Sequence, residues 1–228
     1  SEIGDHIAEG AGPALLGHVI GRRAGFEVPA VIGCPPLDED QLKTLGSAAA
    51  SSGSVAMFHV VGSTPEADSL DAAFGDRSPD LVERVTVTTE DLRLAWSELS
   101  PAPDGPIGAV SLGTPHYSVR EFAVLVDLVA SQRLAVPFYV STGREIVTEL
   151  QLRGWLEPLE AAGVQLVTDT CTYITPVMAP FDGPAMTDSP KWAYYAPGNI
   201  GVEVVFGTVA ECVASAVAGH VVRDARPW

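Results

Sequence analysis

Short apolar runs alternate with longer amphipathic stretches along most of this chain, and that rhythm admits few folds. Residues 28–32, 55–61, 85–87, 107–112, 138–140 and 164–167 are apolar runs of strand length. Between them, residues 11–23, 38–50, a stretch from about 65, 88–99, 118–131 and 143–162 carry apolar side chains at helical spacing. The helix boundaries are marked. Asp38 precedes Glu39 and Asp40, Thr88 or Thr89 opens the fourth stretch, Ser118 stands three residues before Glu121 as a capping box, and Gly163 ends the sixth. Strands joined through helices are crossover units. The predicted fold class is therefore α/β, with a mainly parallel sheet and helices on both faces.

Residues 1–10 (SEIGDHIAEG) have no strand, cap or hydrophobic period and read as a linker, as if the chain opened in the middle of a longer arrangement. That start suggests a fragment, a processed chain or one subunit of a split enzyme. Residues 11–173 are expected to form one α/β domain. Residues 174–228 are expected to pack on it as a cover loop (174–201), a short strand (202–206) and a final helix (208–218). The cover is rich in Pro, Gly, Tyr and Ala and lacks a period.

Composition bounds the partners. Hydrophobic residues make up 46% of 228 but aromatics only 7%, so Val, Leu, Ile and Ala must fill the core. A net charge of −16 repels phosphate backbones and anionic bilayers, which argues against nucleic acid or a membrane surface as partner. A local cationic cluster still admits a small anionic substrate. Three scattered cysteines do not suit a disulfide scaffold and fit a reducing cytoplasm. Neither a signal peptide nor a run of 18 apolar residues is present.

Ligands of open parallel sheets bind beyond the carboxyl ends of the strands. Four successive strand ends carry small, polar or titratable residues: His59 with 62–66, then 113–118, 141–144, and 169–172. Cys171, between Thr170 and Thr172, can be a metal ligand, a nucleophile or an inert thiol. His116 can protonate a leaving hydroxyl, bind a carboxylate, serve as base to Cys171, or cap a helix. His59 can be a site residue or a hydrogen-bonded core histidine. Cys34, Cys212 and His18 read as structural, and His6 and His220 carry no signal. Lys191, Tyr194, Tyr195 and Asn199 lie in the aromatic-rich cover and suit a small anion. Gly198 and Gly201 precede a strand rather than follow one, so no nucleotide loop is read there. Walker, HExxH, GxSxG and CxxC motifs are absent.

Taken together, SSGSVAMFHVVGSTPEA (51–67), SLGTPHYSVREF (111–122), DTCTYITPVM (169–178), MTDSPKWAYYAPGNIG (186–201) and FGTVAECVASAVAG (206–219) resemble the catalytic chain of the aconitase X family. The resemblance runs from about residue 11. It implies an aconitase-like fold and an iron-dependent hydro-lyase of the cytoplasm, forming an oligomer. Its substrate would be cis-3-hydroxy-L-proline, with mevalonate 5-phosphate as the alternative. It implies Cys171 as a ligand of iron or an iron–sulfur cluster, and His116, Ser118 and Lys191 as catalytic. His59, Thr114, Tyr195 and Asn199 are expected to bind substrate. Some members have Cys where this chain has Thr114, so the ligand set in this chain is incomplete. Family catalytic chains are about twice as long. The implied partners are an N-terminal half or complementary chain and a small swivelling subunit, either of which can supply the catalytic base. Two other functions compete: a hydrolase using Cys171 and His116, and a non-catalytic scaffold subunit.

Overall fold

A computed structural model describes residues 6–76 and 82–224. The chain forms two compact units, divided between Trp96 and Ser97. The boundaries expected at 10/11 and 173/174 do not coincide with this division.

The first unit contains α1 (Gly12–Ala24), β1 (Ala30–Val31), α2 (Glu39–Gly53), β2 (His59–Val60), α3 (Leu70–Phe74) and most of α4 (Thr89–Leu99). Asp38 starts α2 with a capping box: its carboxylate accepts from the Gln41 amide, and Gln41 accepts from the Asp38 amide. Thr88 opens α4, its hydroxyl accepting from the Asp91 amide. Helix α1 is buried without a break from Gly12 to Gly21, so it is covered on all sides. It meets α2 closely. A Cβ on Gly21 would stand 2.0 Å from the Ser52 hydroxyl and 2.5 Å from the Ala49 carbonyl. The Ser52 hydroxyl donates to the His18 carbonyl at 3.0 Å across this contact.

Strands β1 and β2 pair in parallel, with Ala30 opposite His59 and Val31 opposite Val60. They are shorter than the runs at 28–32 and 55–61 that predict them. No strand forms at 85–87. Val85 is 47% exposed, so β-branched propensity there lacks a partner strand and a face to bury.

The second unit carries β3 (Ala109–Tyr117), α5 (Val119–Val129), β4 (Phe138–Thr142), α6 (Arg144–Leu152), α7 (Leu156–Ala162), β5 (Val164–Thr168), β6 (Ala185–Thr187), α8 (Pro190–Ile200), β7 (Val204–Phe206) and α9 (Val209–Ala218). Its sheet has the order β5-β4-β3-β6-β7, and every pair is parallel. Val110, Leu112, Phe138, Val140, Val164, Met186 and Val205 form one core with Phe122, Leu125 and Val129 of α5 and Cys212, Val213 and Ala216 of α9. Each fully buried Leu or Phe in it contributes about 1.5–3 kcal/mol. The alternate residue Ser111 meets Trp192 of α8 through Thr172, so helices cover both faces, as the crossover rhythm predicts.

Two expectations are corrected. The single helix over 143–162 is two helices, because Gly154 turns left-handed at φ +71° between α6 and α7. The aperiodic cover at 174–201 contains β6 and α8. Ser189 caps α8 and Pro190 takes its first position, while Trp192, Ala193 and Ala196 are buried. A short helix with Pro197 inside it and mixed small and aromatic contacts shows no clean 3.6-residue period.

Candidate functional site at the rim of the five-stranded sheet

The carboxyl ends of β3, β4, β5 and β6 form one rim, and the loops leaving them carry most of the candidate residues. At β3 the rim is irregular. Gly113 takes φ +80°, and a Cβ there would stand 2.2 Å from the Ser141 carbonyl, so only glycine fits between the strands. The Thr114–Pro115 peptide is cis, and the pairing register with β4 shifts between Leu112 and Tyr117.

His116 is half-buried, with its Nε2 3.3 Å from the Thr170 carbonyl oxygen, one residue from Cys171. The imidazole and the turn that carries Cys171 therefore share one edge. Cys171 is itself half-buried and opens a turn in which its carbonyl accepts from the Ile174 and Thr175 amides. Asp169, at φ +59°, accepts from the Arg144 amide at 3.0 Å and from Arg144 Nε at 2.5 Å, closing the N-terminus of α6. The Arg144 side-chain bond holds the Asp169 carboxyl below the usual range, with His116 a smaller influence.

Helix α8 reaches the same rim. The Ser189 hydroxyl donates to the Thr114 carbonyl, which sets the first turn of α8, and with it Lys191, beside the end of β3. Tyr195 stacks on Tyr173 with ring centroids 5.7 Å apart. Burial pushes the Tyr173 phenol up, with Cys171 and Tyr195 adding to the effect. The Tyr117 hydroxyl donates to Asp188, and burial first, then the Asp188 charge, drives that phenol well above its ordinary value.

The structure thus brings together Thr114, His116, Ser118, Cys171, Lys191 and Tyr195. Ser118 works locally as a cap, its hydroxyl accepting from the Glu121 amide at 3.2 Å. Thr114 is 1% exposed, and its hydroxyl finds no hydrogen-bond partner among the described residues. Asn199 stands apart from the cluster. It is exposed in the last turn of α8, about 13 Å along the helix from Pro190. His59 lies in the other sheet and the other unit, 7% exposed, its Nδ1 without a hydrogen-bond partner among the described residues. The strand ends that share one sheet edge are those of β3, β4, β5 and β6, not that of β2. Tyr117, Arg144 and Thr172 lie in the strand-end segments that the sequence marks, but without a role of their own, and Asp188, Ser111 and Trp192 are not marked there. The one available signal was Ser111, a hydroxyl inside an apolar strand.

A complete metal cluster does not fit the described residues. No group of three or more His, Cys, Asp or Glu side chains among them can hold a metal ion. Cys212 is fully buried in the core, where burial drives its thiol well above the ordinary value. Burial also pushes the Cys34 thiol up to about 11. Both positions disfavour the thiolate a metal needs. Cys171 remains as a single candidate ligand. No helix among the described residues is long and apolar enough to cross a membrane.

Comparison with known proteins gives consistent matches. The family model for the aconitase X second domain matches residues 3–97, and that for the third domain matches residues 107–218. These ranges follow the two compact units. The chain is 40% identical to cis-3-hydroxy-L-proline dehydratase of Pseudomonas aeruginosa over 93% of its own length and 37% of that protein. It is 34% identical to the phosphomevalonate dehydratase large subunit of Methanothermobacter thermautotrophicus, over 86% of its length and 48% of that subunit. The holo-form structure of Thermococcus kodakaraensis aconitase X superposes with a TM-score of 0.78 at 26% identity, covering 90% of this chain and 51% of that one. The chain therefore spans between about a third and a half of the relatives it matches.

Proposed function

The chain belongs to the aconitase X family, and from that premise we propose that it carries part of the active site of a dehydratase acting on a small hydroxy acid, cis-3-hydroxy-L-proline first among candidates. The observation that supports this most is the His116 imidazole 3.3 Å from the backbone carbonyl next to Cys171, at the carboxyl rim of a parallel sheet. Greater identity to the hydroxyproline enzyme than to the phosphomevalonate subunits supports the choice of substrate.

Dehydration next to a carboxylate needs three things: a cation for the carboxylate, an acid for the leaving hydroxyl and a base for the proton on the adjacent carbon. In this reading the Lys191 ammonium holds the carboxylate and His116 delivers a proton to the departing hydroxyl. Tyr195, Thr114 and Ser118 line the site. Cys171 would supply one thiolate to an iron or iron–sulfur centre, and the rest of the enzyme would have to supply the other ligands. The base is assigned to the remainder of the enzyme or to a small partner subunit; the large-subunit naming of the archaeal relatives supports a two-part assembly.

The test uses the complete enzyme containing this chain. Replacing His116 by Gln is expected to lower kcat for cis-3-hydroxy-L-proline by about 10²–10⁴-fold, the usual share of a general acid. Unchanged kcat removes His116 from the chemistry. Turnover of mevalonate 5-phosphate without turnover of the hydroxyproline overturns the substrate assignment.

A further inference from the structure

Beneath the rim lies a chain of three buried polar side chains that no site residue accounts for. Trp192 Nε1 donates to the Thr172 hydroxyl at 2.7 Å, and that hydroxyl lies 2.7 Å from the hydroxyl of Ser111. Their exposures are 0%, 2% and 0%. The indole N–H can only donate, so Thr172 accepts from it and keeps its own O–H and a second lone pair, either of which can serve the bond with Ser111. Ser111 is tied in turn to β6, because its carbonyl accepts from the Thr187 hydroxyl at 2.6 Å, and Thr187 accepts from the Ser189 amide at 3.1 Å.

The relay joins three separate pieces of chain: the middle of β3, the turn after β5 and the first turn of α8. Thr172 follows Cys171 directly, and Trp192 follows Lys191 directly. In a dry interior a satisfied network of this kind fixes geometry, because every alternative arrangement leaves a buried donor unpaired. An apolar contact would hold the segments together without fixing their register.

We infer that Trp192, Thr172 and Ser111 are positioning residues, and that their relay holds the Cys171 turn and the Lys191 turn in fixed relation so that the two act as one unit of the site. This rests on the dehydratase reading for its consequence. Its physical content, the fixing of the Cys171 turn by Thr172 and Trp192, is measurable without turnover.

The experiment follows alkylation of Cys171 by iodoacetamide under native conditions, read by peptide mass spectrometry on the full chain. Thr172→Val removes the shared hydroxyl at nearly constant volume, and Trp192→Phe removes the donor from the other side. Each is expected to speed Cys171 alkylation by about tenfold through local opening of its turn. Thr172→Ser, which keeps the hydroxyl, is expected to stay within about twofold of wild type. Leu125→Ala, a core truncation against the other face of the sheet, controls for general loss of stability. Rates unchanged in both Val and Phe variants, or raised equally by Leu125→Ala, overturn the inference. If Thr172→Val fails to fold, Trp192→Phe and the Ser rescue decide the matter. Iron content of Cys171→Ala tests the parent reading separately. Relay variants that behave as expected beside an iron-replete Cys171→Ala leave the relay standing and the dehydratase reading fallen. The converse pattern does the reverse.

Discussion

At the scale of single residues, burial raises two thiols of this chain, and at Cys212 the Asp188 and Glu211 charges add to the effect. Cys34 is pushed up to about 11 because partial burial disfavours the thiolate. At pH 8 its thiolate fraction is then about a hundredfold below that of an unshifted thiol. Cys34 alkylation should be slow at neutral pH and rise about tenfold per pH unit up to pH 11; rapid labelling at pH 7 would contradict this. Tyr117 behaves analogously. Its phenol is buried, donates to Asp188, and is driven above the ordinary value of 10.0. The neutral form is the one the fold favours, so this contribution is complete below pH 10 and fades as pH climbs through the folded value. Tyr117→Phe should cost about 1–3 kcal/mol at pH 7 in a denaturant titration, and the gap from wild type should narrow above pH 10.

At the scale of elements, capping and close approach decide where helices begin and how they meet. Ser118→Ala should lower stability by about 1 kcal/mol, with Ser118→Asp restoring most of it, because either side chain accepts from the Glu121 amide. Gly21→Ala forces a methyl group into the Ser52 hydroxyl and the Ala49 carbonyl, and should destabilise by about 1–3 kcal/mol in thermal unfolding. Much at this level was legible in the sequence. The caps at Asp38 and Ser118 follow from local chemistry, and the strands at 138–140 and 164–167 and the final helix show as apolar runs and periods of the matching length. Elements whose pattern gives no sign of their partners were not legible. The run at 85–87 has the composition of a strand and remains exposed. The segment 185–200 lacks a period, yet folds because the sheet supplies the surface that Trp192 and Ala196 bury. The break at Gly154 was hidden because apolar spacing continues across it.

At the scale of the whole molecule, the two compact units correspond to the second and third domains of the family, and the described candidate cluster belongs to the third. Following strand ends located Thr114, His116 and Cys171, Lys191 stood out in the aromatic-rich cover, and the sheet carries all four segments to one rim. His59 escaped that logic because a strand end carries no label of the sheet it joins. Asn199 escaped it because helix α8 carries it away from the rim. The relay below the rim was invisible for a related reason: hydroxyls buried in pairs look like ordinary turn residues until their partners are known. On the proposed reading this rim provides one share of an iron-bearing dehydratase site, with Cys171 as a ligand. The decisive measurement is the iron bound per complete enzyme when Cys171 is replaced by Ala. Iron should be lost in that variant and retained in Cys34→Ala; iron at the wild-type level in Cys171→Ala would contradict the reading.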